Sequence, residues 1–225
     1  FTGGPPFDVP PFTVTPSNIT QDKETGIGSW SDADIKKLLR TGMRPNGVPI
    51  ASIMPVGFYG IITDRDLDAI VAYLRTIKPV SNKVPDPIYR MAAPAQIFPG
   101  SEHAYTEAMM SDPLKRGFYL ASIGHCMECH TPMTKGHRDF ANDEGKGGME
   151  FPGPWGKSVS RNITSSKAKG LGDWTDAEIK RAITQGIDKG GNHLMPPMGF
   201  GYYAHMTDAD LNALVAWLRT VPAKE

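Results

Sequence analysis

The stretch Cys126-Met127-Glu128-Cys129-His130 decides how the rest of this chain is interpreted. It has the pattern C-x-x-C-H and contains both cysteines of the 225-residue sequence. This pattern is typical of covalent attachment of c-type haem. Two thiols three residues apart on a turn can each form a thioether to one vinyl group of the same haem, and the next histidine can bind the iron. We therefore expect haem c attached at Cys126 and Cys129, with His130 as the proximal ligand.

Three other chemistries use closely spaced cysteines. A thioredoxin-like pair needs a strand-helix-strand context, but no run of β-branched residues surrounds Cys126. A structural zinc site usually needs four ligands, and His103, His125 and His137 do not complete a common zinc spacing. A disulfide between residues this close in a helical turn is rare. Haem attachment is the interpretation that the pattern favours.

The amino-acid composition excludes several classes of protein. The formal net charge is zero, so bulk electrostatics give no case for a nucleic-acid partner. No run of 18 or more apolar residues predicts a transmembrane helix, and the sequence that opens at Phe1 shows no signal-peptide pattern. Twenty prolines and 24 glycines predict short helices joined by long ordered loops. Such a composition is normal for a small domain built around a prosthetic group.

The chain contains an internal repeat at a constant offset of 144 residues. The segment Asn18-Ile19-Thr20 recurs at 162–164, and Trp30 recurs as Trp174. Residues 63–79 align with 207–223 with 10 of 17 identical and no gap. We infer two copies of one domain: residues 1–80, N-terminally incomplete, and residues 112–225, joined by a proline-rich connector at 81–111.

The repeat places the counterpart of Cys126 upstream of Phe1, so the first copy lacks its own C-x-x-C-H. Two explanations stay open. The natural protein continues upstream and carries a first haem motif there, or the first copy has lost its haem and only docks a partner. Retention of Met54 in a loop equivalent to that of Met198 favours the first explanation, with a second haem c attached upstream of Phe1.

Helix signals recur in both copies and indicate an all-α fold with long Pro/Gly-rich loops around haem. Ser31, Thr63, Thr175 and Thr207 each precede a helical apolar pattern with an acidic residue three positions later. Asp112-Pro113 predicts the start of a helix that continues to the haem motif. Within it, Gly117 predicts the close approach of another helix.

The repeat also selects a sixth iron ligand. Methionine is a common axial ligand in haem proteins of this type and raises the reduction potential. Met198 aligns with Met54, whereas its rivals Met195 and His193 align with Ala51 and Pro49. We therefore predict Met198 as the ligand in the second copy and Met54 as the ligand of a first-copy haem. Further candidates for cofactor contacts are Trp155, Arg161, Asn162, Trp174, Phe200 and Tyr203.

Together these segments resemble the bacterial cytochrome c family. The resemblance rests on Arg116 through Pro132, on Asn162-Ile163-Thr164, on Trp174-Thr175-Asp176, on Met198 and on residues 207–218. Residues 18–74 match the same pattern without the haem-attachment segment. In particular, these segments resemble the multi-haem cytochrome subunits of membrane-bound dehydrogenases for alcohols, sugar acids and related substrates. That resemblance implies a periplasmic location or the outer face of the cytoplasmic membrane, redox protein partners, and membrane association through a missing N-terminus.

The expected function is single-electron transfer with His/Met-ligated haem, as a subunit rather than as an enzyme in its own right. An enzymatic alternative is a di-haem peroxidase or a thiosulfate-oxidising cytochrome. A peroxidase needs one haem with an open or displaceable sixth position, which Met54 and Met198 argue against. The remaining alternative is a first domain without haem that serves only for docking.

Overall fold

The computed structural model describes residues 1–92 and 94–225, and these form two compact units, Phe1–Ala104 and Tyr105–Glu225. Residue 93, within the predicted connector, lies outside the described residues. The domain boundaries at 80 and 112 stay a prediction. No helix in the described part of the chain is long and apolar enough to cross a membrane.

The first unit combines a small sheet with two α-helices. Strands β1 (Phe7–Val9), β2 (Phe12–Val14) and β3 (Ile88–Tyr89) form an antiparallel sheet in that order, with Phe7 opposite Val14. Helix α1 spans Asp32–Thr41, helix α2 spans Asp64–Arg75, and a 3-10 helix spans Val56–Phe58. Ile27, Ile35 and Val71 form a buried cluster between them.

The second unit begins with a 3-10 helix at Glu107–Ser111 and contains the haem motif. Helix α3 spans Pro113–Ile123 and α4 spans Cys126–His130. The strands β4 (Met133–Thr134) and β5 (His137–Arg138) precede α5 (Phe140–Asp143), and β6 (Glu150–Gly153) pairs with β7 (Gly156–Val159). Helices α6 (Asp176–Gln185), α7 (Phe200–Tyr203) and α8 (Asp208–Leu218) complete the unit.

The prediction of an all-α fold is wrong. Within the described residues the structure has eight α-helices but also three small antiparallel sheets. Six of the strands fall in segments 1–29 and 131–173, which were expected to be loops, and β3 falls in the predicted connector at 81–111. Each strand has only two to four residues. That length is too short for the alternation of apolar and polar residues that identifies a strand in sequence.

The predicted helix starts are confirmed. Ser31 and Thr175 each accept a hydrogen bond from the backbone N–H three residues later, and the acidic side chain there accepts one back, which completes a capping box. Both helices end at a glycine in the left-handed conformation, Gly42 and Gly186. These local signals set the same helix bounds in both units because each satisfies terminal backbone groups without help from distant residues.

The 144-residue repeat extends to tertiary contacts. Arg75 bonds Asp32 and the carbonyl of Trp30, and Arg219 makes the same bonds to Asp176 and Trp174. The β1–β2 pairing of Phe7 with Val14 recurs as Phe151 with Ser158 in β6–β7. The isolated bridges at 43–49 and 187–193 are also equivalent. The two units therefore share a backbone frame over these segments.

Gly117 lies where α3 crosses α8, as its position predicted. A Cβ at this position would come within 2.1 Å of the Ala213 carbonyl oxygen. Phe118 contacts Trp217 edge-on at 5.6 Å between ring centroids, and Arg116 forms an ion pair with Asp210 at 2.6 Å. This crossing holds α8 against the helix that leads into the haem motif.

Candidate functional site

The second unit encloses a cavity of about 940 Å³ next to the haem motif. This volume is at the upper end of the range for sites of small molecules and cofactors. Cys126, Cys129, His130 and Met198 all line it. The four side chains that the sequence predicted to hold haem and iron in this copy therefore share one cavity.

A change in chain direction brings the haem motif to the cavity wall. Helix α3 was expected to run straight into the motif, but it ends at Ile123, and His125 adopts a left-handed conformation with φ 40°. Histidine tolerates this conformation better than most residues. The following single turn, α4, places the free thiols of Cys126 and Cys129 one turn apart on the same cavity. Burial raises the pKa of the Cys126 thiol to about 12.

A backbone carbonyl orients His130. Its Nδ1 lies 2.6 Å from the carbonyl oxygen of Arg161. A carbonyl can only accept, so Nδ1 carries the proton and Nε2 is the ring nitrogen available to iron. Desolvation lowers the pKa of His130, which favours the neutral imidazole that binds metals. Metal-binding histidines characteristically donate their other N–H to such an acceptor.

Hydrogen bonds to two elements hold the loop that carries Met198. Leu194 donates its backbone N–H to the carbonyl of Gly186 at 2.7 Å, next to the bridge between Ile187 and His193. Ser158 on β7 donates its hydroxyl to the carbonyl of Pro196 at 2.5 Å. The loop therefore presents Met198 to the cavity from a fixed frame without a helix. Met195 and His193, the rival ligands, also line the cavity.

The remaining predicted residues divide into two groups. The cavity is lined by Arg161, Asn162, Trp174, Phe200 and Tyr203. Trp155 instead lies at the β6–β7 turn, where its indole N–H donates to the carbonyl of Phe151 at 3.3 Å.

Besides lining the cavity, Asn162 and Tyr203 form hydrogen bonds to the backbone. The Asn162 amide donates to the carbonyl of Lys224 and accepts from the backbone N–H of Thr164. The Tyr203 hydroxyl donates to the carbonyl of Gly124 at 3.3 Å, which ties α7 to the segment before the haem motif. These contacts fix two walls of the cavity relative to each other.

Arg161, which lines the cavity, forms an ion pair with Asp188. The Arg161 guanidinium lies 3.7 Å from the Asp188 carboxylate, which is almost fully buried. The backbone N–H of Asn192 is the main cause that holds the pKa of Asp188 below its usual value, and Arg161 adds to the effect. Arg161 is thus fixed near the cavity by its carbonyl bond to His130 and by this carboxylate.

The sequence did not identify the apolar residues that line the cavity as part of a cofactor site. Its members are Leu120, Ile163, Leu171, Ile179, Ile183, Leu214 and Leu218. Their helical spacing in α6 and α8 correctly predicted inward-facing residues but did not distinguish a packed core from a cofactor wall. It also missed the Arg161 carbonyl, because a backbone acceptor leaves no mark on residue identity.

Met54 occupies the equivalent loop of the first unit and is partly buried. Ile27, Trp30, Ile35 and Leu39 pack together there. Their equivalents at an offset of 144 all line the second-unit cavity. The first unit therefore repeats this apolar wall together with the methionine loop.

The cavity fits a covalently bound haem. Two free thiols, a histidine whose Nδ1 is already bonded, and a thioether line a space with predominantly apolar walls. These are the donor types that c-type haem requires. Haem c held through Cys126 and Cys129 follows from this donor set.

Comparisons with known proteins agree with the site. Residues 114–222 match the model of the Cytochrome c family. The whole chain is 30% identical to a gluconate 2-dehydrogenase cytochrome c subunit of Pantoea cypripedii and covers 55% of it. Over 99% of its length it is 31% identical to the cytochrome c subunit of a quinone alcohol dehydrogenase of Gluconobacter oxydans, covering 50% of that protein.

A shorter relative shows a similar match. The chain is 29% identical over 92% of its length to a diheme cytochrome c-type protein of Cereibacter sphaeroides, and it covers 71% of that protein. In contrast, the chain spans about half the length of the two dehydrogenase subunits. The similarity includes the first unit, which the match to the family model does not cover.

Proposed function

Since residues 114–222 belong to the cytochrome c family, we propose that this chain transfers single electrons as the cytochrome subunit of a dehydrogenase. When bound, the haem supplies an iron that alternates between the ferric and ferrous states. His130 and Met198 would hold the iron in both states. The observation that carries this proposal is the shared cavity lined by both cysteines, His130 and Met198.

The residues of the chain keep the site rigid through a redox cycle. The Arg161 carbonyl fixes the His130 ring, and the bonds of Leu194 and Ser158 fix the methionine loop. The predominantly apolar walls would favour the less charged state of the iron site. A rigid site of this kind suits electron transfer because little reorganisation accompanies each step.

The first unit is a second haem site in this proposal, with Met54 as the axial ligand. The repeated apolar wall and the relative named as a diheme cytochrome support it. The C-x-x-C-H of that haem would belong to sequence upstream of Phe1. Measurement of the haem-to-protein ratio on the full-length natural protein tests this point, with at least two haems expected.

The partners proposed are redox proteins, first of all a dehydrogenase subunit. Two relatives, of which this chain covers about half, are named as cytochrome c subunits of dehydrogenases, and these names support that choice. The proposed location is the periplasm or the outer face of the cytoplasmic membrane, because haem c is attached outside the bacterial cytoplasm. Fractionation of cells followed by haem staining tests the location.

The decisive test of the function is the reduction of the haem in the full-length protein. We expect low-spin spectra in both oxidation states that do not change when peroxide is added. Substitution Met198→Ala should remove the contribution of the second-unit haem to the charge-transfer absorption of methionine-ligated ferric haem and leave that of a Met54-ligated haem. A high-spin haem in the unmodified protein, or a spectrum unaffected by Met198→Ala, would contradict His/Met ligation.

A further inference from the structure

Arg161 connects the histidine side of the cavity with the turn that leads to the methionine loop. Its backbone carbonyl accepts the hydrogen bond from His130 Nδ1 at 2.6 Å. Its guanidinium lies 3.7 Å from the carboxylate of Asp188, in the turn at 187–193 that directly precedes the loop of Met198. One residue therefore contacts the proposed proximal ligand through its backbone and the methionine side through its side chain.

The backbone of Arg161 packs closely against the segment that follows the haem motif. Gly147 donates its N–H to the carbonyl of His130 at 2.7 Å, and its φ is 78°. A Cβ at Gly147 would lie 2.5 Å from the carbonyl carbon of Arg161, so only glycine permits this approach. The Arg161 carbonyl and the His130 backbone therefore belong to one packed cluster and have little room to move independently.

Several hydrogen bonds hold Asp188 in its turn. The backbone N–H of Asn192 donates to its carboxylate at 2.9 Å, and the N–H of Asp188 donates to the carbonyl of Asn192 at 2.9 Å. Arg181 of α6 donates to the Asp188 carbonyl at 2.7 Å. The bond from Leu194 to Gly186 then closes the turn where the methionine loop begins. A displacement of the Asp188 carboxylate therefore also displaces the start of that loop.

The turn itself does not need a carboxylate. In the first unit, Arg44 stands at the position of Asp188, and the same turn forms with the N–H of Arg44 donating to the carbonyl of Val48 at 3.1 Å. Ser17 stands at the position of Arg161, so neither member of the ion pair is repeated. Burial of a carboxylate costs free energy unless a cation pairs with it. The second unit thus keeps a buried charge that its turn does not require.

We propose that Arg161 and Asp188 are a positioning pair that couples the orientation of His130 to the methionine loop and so keeps Met198 bound to the iron. The pair acts through the hydrogen-bond acceptor of His130 and through the turn at 187–193. The first unit lacks the pair, so Met54 would be the more easily displaced of the two methionines. This inference rests on the proposed His/Met ligation.

A positioning role differs from a charge effect in its sign. Loss of the positive charge of Arg161 and loss of the negative charge of Asp188 should shift the reduction potential in opposite directions, because opposite charges favour opposite oxidation states of the iron. Residues that act only through charge would also change the binding of Met198 in opposite directions. Residues that position the ligands should each loosen Met198 when lost, and loss of both should do no more than loss of one.

Displacement of Met198 by cyanide in the ferric full-length protein tests the pair. All variants carry Met54→His, so that the absorption of methionine-ligated haem belongs to Met198 alone. We expect Arg161→Ser and Asp188→Asn each to raise the displacement rate about tenfold, the lower end of the typical cost of losing a partner that orients a metal ligand. The double variant should match the single ones. Arg161→Lys, which retains the charge, should restore most of the original rate.

Substitution Lys157→Ser is the matched control. Lys157 also lines the cavity but pairs with Glu150 at 2.8 Å, so this variant removes a positive charge and leaves the Arg161–Asp188 pair intact. We expect its displacement rate to stay unchanged. Unchanged rates in Arg161→Ser and Asp188→Asn, or changes of opposite sign, would overturn the proposal. A protein without methionine-ligated absorption before any change at the pair would instead refute ligation by Met198.

Discussion

The two units use one backbone frame in two ways. In the first, residues 96–101 cover the helix that follows the methionine loop, and Phe58 and Phe98 are buried against each other. In the second, Tyr202 of the equivalent helix is exposed among the described residues. In the first unit the cover comes from residues 96–101, which follow the repeated segments in the chain. The repeated backbone therefore determines where the methionine loop lies, but it does not determine which segment packs on the helix that follows the loop.

The largest effect is expected from loss of haem attachment. The double substitution Cys126→Ala and Cys129→Ala removes both thioethers of the second unit and leaves its cavity without the group that fills it. We expect the haem-to-protein ratio of the full-length protein to fall by one and the second unit to become sensitive to proteolysis. Mass spectrometry and limited proteolysis measure both. An unchanged ratio would show that these cysteines do not attach haem.

Substitution of each methionine separates the two proposed haems. Met198→His and Met54→His each replace a thioether by an imidazole, which lowers the reduction potential. Axial ligands set haem potentials over roughly 0.8 V, so a drop of a sizeable fraction of that range is expected for one haem in each variant. Redox titration measures it, with Met195→Leu as the control that leaves both potentials unchanged. If Met54→His changes nothing, the first unit has no methionine-ligated haem.

A matched glycine pair probes the covering segment. Gly57→Ala forces a methyl group against the Gln96 carbonyl, and overpacking of this kind costs about 2–3 kcal/mol of unfolding free energy. Gly201→Ala meets open space and should be neutral or stabilise the isolated protein by up to about 1 kcal/mol. Denaturant unfolding measures both. Equal destabilisation would mean that the two helices are covered alike.

The repeated arginines should contribute similarly in the two units, with a slightly larger loss at Arg75, which also donates to the Gln21 side chain at 3.0 Å. Arg75 and Arg219 each bond an aspartate and two backbone carbonyls of the preceding loop. Both side chains are about one-third exposed, so truncation to alanine should cost about 1–2 kcal/mol in each case. Arg→Lys variants at both positions serve as controls, since lysine keeps the positive charge but lacks the planar guanidinium that donates several hydrogen bonds at once. A clearly larger loss of unfolding free energy for Arg219→Ala than for Arg75→Ala would contradict this prediction.

The smallest effect concerns the acidic residues of the capping boxes. Hydrogen bonds from Thr175 to Glu178 and from Ser31 to Asp34 hold the pKa of both carboxyls below their ordinary values. A lowered pKa in the folded state adds stability that is present above the unfolded pKa and lost as the pH falls through the folded one. Glu178→Gln should therefore lower the melting temperature slightly at pH 7 and not at pH 3. A difference that grows on acidification would contradict this assignment.

Much of the site was predictable because its signals are local. Cys126, Cys129 and His130 form a contiguous motif, and the caps at Ser31, Thr63, Thr175 and Thr207 bond backbone groups within three residues. The offset of 144 then identified Met198 as a counterpart of Met54. The short strands were not predictable, because two to four residues carry no pattern of their own. Trp155 was assigned to the cavity on residue type alone, and the structure places it at the β6–β7 turn.

The sequence alone determined the cofactor class, the helix bounds and the repeated frame, since each depends on residues close together in the chain or on identity at a constant offset. Only the tertiary structure showed that both cysteines, His130 and Met198 line one cavity and that a carbonyl of Arg161 orients the histidine. It alone also revealed that the Gln96 carbonyl lies against Gly57, whereas no atom of the described residues lies within 4 Å of a Cβ built at Gly201. The physical reason is that cavities, backbone acceptors and packing between distant segments depend on positions in space, which residue types do not record.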